Sequence, residues 1–273
     1  MQPTLQPFQT FIDTASTHIQ KDPNAIGLAV GGSWISGNMD EFSDLDLVLV
    51  TAQPIAPDVE QMRAYAARLG TMLASFRGDH VGEPRLLIAL YELPLLHVDI
   101  KFVTLDEFYQ RVEDPVIVWE RNGLLSAVLH ESTAVYPPFD FQWVEDRFWI
   151  WVHYAALKIG RGEYVEATDF LGFVRNVVLG PMIHLHYNGL PRGVRRLEIV
   201  ADSADLARLH KTIARPERDS LLKATTEAAQ FYTELRDKLA PATLQKNDVA
   251  HIAVETYLKS LYAGSTTEPA SKD

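Results

Sequence analysis

The 273-residue chain reads as an α+β protein in two parts: a mixed β-sheet flanked by helices, then a bundle of helices. Three observations predict this. Short β-like runs alternate with amphipathic helix patterns in the first half, and the second half carries helix patterns only. Between them stands "YPPFD" at 136–140, where consecutive prolines forbid helix and the character of the sequence changes. The expected domains are therefore 1–138 and 139–273, with a frayed tail from about 263.

Taken in order, Leu5, Phe8, Ile12, Ala15 and Ile19 recur at three- and four-residue steps and predict an amphipathic helix ended by "KDPN". A strand follows at 26–30, and a second at 44–50 after "GGSWISGNMDEFS". From about Asp58 the residues Val59, Met62, Ala66, Leu69, Leu73 and Phe76 share one helical face, which predicts a helix broken by "RGDHVGEP". "RLLIALY" and "LLHVDIKFV", separated by "ELP", predict a hairpin, and "PVIVW" with the turn "ERNG" predicts a last strand. Beyond the prolines, Phe148, Trp151, Val152, Ala155 and Ile159 form a helical stripe, and helix-like segments continue to about Leu261.

Composition narrows the function classes. There is no cysteine, so disulfides, thiolate nucleophiles and cysteine-ligated zinc are excluded, and a reducing, cytoplasmic location is expected. The start of the chain lacks the pattern of a secretory signal, and the longest uncharged stretch, 176–191, is interrupted by Gly180, Pro181 and Asn188, so no membrane span is expected. Of the net charge of -11, the first 138 residues carry -10. Such a surface repels a nucleic-acid backbone and favours metal ions or cationic small molecules.

The candidate chemistry sits in "GLAVGGSWISGNMDEFSDLDLVLV" at 27–50. On a strand, residues i and i+2 share a face, so Asp44 and Asp46 would project together while Leu45, Leu47 and Leu49 pack behind. Read alone, the pair is more simply a solvated strand start. With a cation between them the two carboxylates become a metal site, and their oxygen ligands suit magnesium better than zinc. Upstream, Gly31, Gly32 and Ser33 leave a strand where bare backbone N–H groups and a hydroxyl can hold phosphate oxygens. A phosphate loop and an acidic pair together are the minimum equipment for handling a nucleoside triphosphate. A third carboxylate is then expected from a neighbouring strand. In "LLHVDIKFV", Leu96, Val98, Ile100 and Phe102 face one way, and His97, Asp99 and Lys101 the other, which makes Asp99 the candidate.

"GGS", ten residues, then "DLDL", with a later "HVDIK", resembles the nucleotidyltransferase fold superfamily, which runs from polymerase beta to the bacterial enzymes that adenylylate antibiotics. The helical half, with "FWIWVHYAALKIGRGEYVEATDFLGFVRNVV", is similar in layout to the C-terminal bundles of aminoglycoside and lincosamide nucleotidyltransferases. The resemblance implies an active site in the cleft between the two halves, with magnesium and ATP or another nucleoside triphosphate as co-substrate. Asp44, Asp46 and Asp99 would hold the metal and carry catalysis, Gly32 and Ser33 would bind phosphates, and Lys158 would add a nucleotide contact. Nucleoside monophosphate, AMP in the first instance, would pass to a hydroxyl of a small molecule such as an aminoglycoside or lincosamide. The alternatives are a protein or RNA acceptor, or a non-catalytic nucleotide- or partner-binding module. Asp99 would be metal ligand, base or both, with Glu92 or Glu83 as substitute bases. Arg161 and Arg175 are further candidate cations, and "LPRGVRRLE" reads more simply as surface charge. "HLH" at 184–186 points in two directions on a helix and argues against a metal site. Trp143, Trp149, Trp151 and Tyr154 read as core packing before ring stacking, and His97 as a plain hydrogen-bonding group.

Overall fold

The computed structural model describes residues 5–92 and 94–263. The chain divides into two compact units, residues 1–137 and 138–273.

The first unit is a six-stranded sheet. Its strands are β1 (Ala25–Val30), β2 (Leu45–Thr51), β3 (Met72–Gly78), β4 (Glu83–Tyr91), β5 (Leu96–Thr104) and β6 (Val116–Glu120), in the spatial order β3-β4-β5-β2-β1-β6. β2 runs parallel to β5 and the other neighbours are antiparallel, so the sheet is mixed. Helices α1 (Gln6–Ile19) and α2 (Val59–Ala66) cover one face, over a core that includes Phe11, Ile12, Leu47, Leu49, Tyr91, Ile100 and Phe102. On the other face a smaller apolar group, Ile26, Ala29, Val50, Val103, Phe108, Leu125 and Val128, packs under α3 (Leu105–Phe108) and α4 (Leu124–Glu131). β1, between β2 and the edge strand β6, is buried along its whole length. Polar side chains of β2 and β5 can therefore emerge only where the second face is left uncovered.

Two expectations need correction. The helix predicted to reach Phe76 ends at Ala66, and residues 72–78 form the edge strand β3. Gly70 falls between them, packed so that an added Cβ would lie 3.2 Å from Tyr91. Leu73 and Phe76, assigned to the helix face by spacing, are half exposed on the sheet edge. In addition, β2 starts at Leu45, so Asp44 stands before the strand and the same-face rule does not bind it to Asp46.

The second unit is helical: α5 (Phe141–Arg161), α6 (Tyr164–Val174), α7 (Gly180–His186), α8 (Leu197–Val200), α9 (Ser203–Lys211), α10 (Arg218–Leu239) and α11 (Asp248–Ala263). A single π turn, Arg175–Leu179, joins α6 to α7 ahead of Pro181, which cannot donate to a regular helical ladder. The predicted stripe of α5 is buried at Phe148, Val152, Ala155 and Ile159, and Trp149 goes into the core where Trp151 only flanks it. Trp143 and Tyr154 lie at the surface. Within this core an ion pair is closed off from water: Arg236 binds Glu145 at 3.1 Å, and Glu145 also accepts from the Tyr232 hydroxyl and the Asn247 N–H. "HLH" does not converge: His184 is buried and bonded to the Arg195 carbonyl, while His186 meets Lys238. Apart from Ala263, the expected frayed tail lies outside the described residues.

Candidate functional site

The parallel ladder between β2 and β5 places Asp46 directly opposite Asp99. Adjacent strands lie about 4.8 Å apart, and partners in register share a face, so the two carboxylates are neighbours. Their face is the one only partly covered by α3 and α4. There a cavity of about 180 Å³ opens, lined by Gly31, Asp46, Asp99, Lys101, Arg111 and Glu113 among others, with Val48, Val103 and Phe108 as its apolar floor. Asp99 is further fixed by His97, whose Nε2 lies 3.0 Å from Asp99 Oδ1.

The glycine loop packs against this pair. The Gly31 N–H donates to the Asp46 carbonyl at 2.9 Å, tying the loop to the head of β2. Gly32 opens a 3₁₀ turn, Gly32–Trp34, with φ of +60°, a left-handed backbone that glycine adopts without a Cβ penalty. A Cβ at Gly32 would come to 1.9 Å from Asp46 Oδ2, so the position requires glycine for space as well as conformation. The Ser33 hydroxyl oxygen is shut off from solvent and has no hydrogen-bond partner among the described residues. An orphaned donor beside a glycine cradle fits a site shaped for a group of oxygen acceptors.

Asp44 is not among the cavity's lining residues. Among the described residues no group of three or more histidine, cysteine, aspartate or glutamate side chains is gathered closely enough to hold a metal. Asp46 and Asp99 alone are still an apt pair for magnesium, which takes one or two carboxylates and completes its shell with water and substrate phosphates.

The substitute bases do not belong here. Glu83 binds Arg85 and Lys101, each at 2.8 Å, and Arg85 foremost holds its carboxyl down at about 2, too acidic to collect a proton near neutrality. Glu92 lines a different hollow, beside Gln6, Phe11 and Tyr91 of the α1 face. Lys101 is paired with Glu83. In the second unit, Lys158 is bridged by Glu163 at 2.8 Å and Glu166 at 3.0 Å. These hydrogen bonds, Glu163 first, raise its ammonium above the ordinary lysine value. Arg161 lies near Glu163, and Arg175 donates to the Thr212 carbonyl.

Sequence reading passed over Arg111 and Glu113. Arg111 is buried and bonded to Asp114 and to the hydroxyl and carbonyl of Ser132, so it anchors the loop that follows α3. Glu113, on that loop, accepts from the Gly32 N–H at 2.7 Å. Only the "RVEDP" charge cluster marks them in sequence, and it reads as an ordinary loop.

No family model and no curated protein matches the sequence. Among solved structures, the chain is similar to an aminoglycoside 6-adenyltransferase from Bacillus subtilis, with 12% identity over 93% of this chain and 97% of that one, at a TM-score of 0.41. It is also similar to a nucleotidyltransferase-like protein from Exiguobacterium sibiricum 255-15, with 13% identity over 95% of this chain and 89% of that one, at a TM-score of 0.36. Likeness at this level carries no functional weight.

Proposed function

We propose that the protein transfers a nucleoside monophosphate, AMP from ATP in the first instance, to a hydroxyl of a small molecule. The observation that carries this is the pairing of Asp46 with Asp99 on one cavity, with the Gly31–Gly32 loop packed against Asp46. Asp46 and Asp99 are the carboxylates that would hold magnesium, with water and substrate phosphates completing its shell. When bound, the ion offsets phosphate charge and acidifies a nearby hydroxyl. The Gly32 N–H and the Ser33 hydroxyl receive oxygens of the triphosphate. The acceptor oxygen attacks the α-phosphorus, the bond from that phosphorus to the bridging oxygen of pyrophosphate breaks, and Asp99 takes the hydroxyl proton. His97 keeps the Asp99 carboxylate oriented through its 3.0 Å contact.

The acidic balance of the first 138 residues favours a polycationic acceptor, so aminoglycosides come first and lincosamides next. It disfavours RNA. The test is pyrophosphate release from ATP with magnesium over an aminoglycoside and lincosamide panel, comparing the native chain with Asp46→Asn and Asp99→Asn. Each variant is expected to lose at least about a hundredfold, the usual worth of a positioned acid or base. Turnover undiminished in Asp99→Asn would defeat the assignment. A second reading, a nucleotide-binding module without turnover, draws on the position of Asp44 outside the cavity; triphosphate binding with no pyrophosphate release would establish it.

A further inference from the structure

The cradle proposed for phosphate already holds an anion from the chain itself. The Gly32 N–H donates to Glu113 Oε1 at 2.7 Å, across 81 positions of sequence. A Cβ on Gly31 would stand 3.0 Å from that same oxygen, so the carboxylate rests in the space the glycine leaves open. Ser33, next along the loop, keeps its buried hydroxyl without a partner among the described residues. A carboxylate therefore satisfies one donor of the cradle and leaves the adjacent one unmet, where a phosphate with three oxygens can serve both.

The loop behind Glu113 is firmly held. The Arg111 guanidinium bonds to Ser132 Oγ at 2.7 Å and to the Ser132 carbonyl at 2.6 Å, and the Val135 N–H donates to the Arg111 carbonyl at 2.9 Å. With its root pinned two residues away, Glu113 can leave the cradle by side-chain rotation alone. Glu113 also lines the cavity that Asp46 and Asp99 share, so an incoming phosphate meets its charge at close range. Like charges at that separation repel, and the Gly32 N–H cannot serve both anions at full strength.

We infer that Glu113 is an autoinhibitory stopper of the glycine cradle, displaced only by a ligand with enough charge and enough oxygens to replace it. This deepens the proposed triphosphate reading and rests on it. The stopper excludes weak anions such as inorganic phosphate from the resting site and sets the affinity for triphosphate below what the cradle alone would reach.

Isothermal titration of the full chain with magnesium ATP and with inorganic pyrophosphate, for the native protein, Glu113→Gln and Glu113→Ala, tests this. Glutamine can still accept from the Gly32 N–H while removing the charge, and thermal melts identify any variant that fails to fold. Both variants are expected to bind each anion about tenfold more tightly than the native chain, the order set by removing one close like charge. Unchanged or weaker binding by folded Glu113→Gln, with the native chain binding ATP normally, overturns the stopper and leaves the triphosphate reading standing. Absence of binding by all three folded forms overturns the triphosphate reading, and the stopper with it.

Discussion

The Asp46 carboxylate fills the space that a Cβ on Gly32 would take, and substituting alanine at Gly32 measures that close approach. Two costs add. Alanine at φ of +60° pays about 1–2 kcal/mol for the left-handed backbone. Its Cβ would lie 1.9 Å from Asp46 Oδ2 and 2.8 Å from Asp46 Cγ, and relieving that overlap costs about 1–3 kcal/mol more by the usual penalty for overpacking. Gly37 is the built-in control. Its φ is +66°, but nothing lies within 4 Å of where its Cβ would be, so Gly37→Ala carries the backbone cost alone. Urea unfolding followed by circular dichroism should thus place Gly32→Ala about 1–3 kcal/mol below Gly37→Ala. The overlap can be relieved only by moving Asp46 or the loop, so Gly32→Ala is also expected to lose triphosphate affinity that Gly37→Ala keeps. Equal destabilisation by the two alanines would refute the close approach, and the proposed phosphate role of the glycine loop would then lose its link to the acidic pair.

Two further expectations concern the helical unit. Glu145→Gln leaves the Arg236 charge buried with only Asp237 beside it, so a loss near the low end for a broken buried pair is expected, about 3 kcal/mol in urea. Burial alone would raise the Glu145 carboxyl, but the Tyr232 hydroxyl, the Asn247 N–H and Arg236 together hold it below the ordinary 4.5. A carboxyl depressed in the folded state contributes stability that is present above its unfolded value and lost as pH falls through the folded one. The gap between the native chain and Glu145→Gln should accordingly be full at pH 7 and shrink below about pH 4.5; a gap constant from pH 7 to pH 3 would mean the pair is not formed. Lys158→Met removes the bridge to Glu163 and Glu166, and a lower melting temperature is expected by differential scanning calorimetry. A melting temperature equal to that of the native chain would show that the bridge adds nothing to stability.

What was legible in sequence and what was not divides along one physical line. Asp99 could be found because strand alternation is local: with Leu96, Val98, Ile100 and Phe102 buried, His97, Asp99 and Lys101 have only the other face. The glycine loop was legible for the same reason, since a strand that stops at two glycines announces its turn. The partner of Asp99, by contrast, is decided by β2 lying parallel to β5 with α2, β3 and β4 between them in the chain. No period in either strand encodes that register, and the ladder starts at Leu45, so it enlists Asp46 and passes over Asp44. The misread helix has the same origin: Leu73 and Phe76 keep helical steps from the buried Leu69, but they lie on β3, which pairs with β4 at the sheet edge, where their side chains need no burial. Glu113 and Glu145 were missed because a carboxylate in a loop or on a helix reads as solvated until its partner is known. Their partners, Gly32 and Arg236, stand 81 and 91 positions away. Groups defined by their immediate neighbours can be assigned from composition and period, whereas charges satisfied at long range decide how this cavity is closed and how this core tolerates acid.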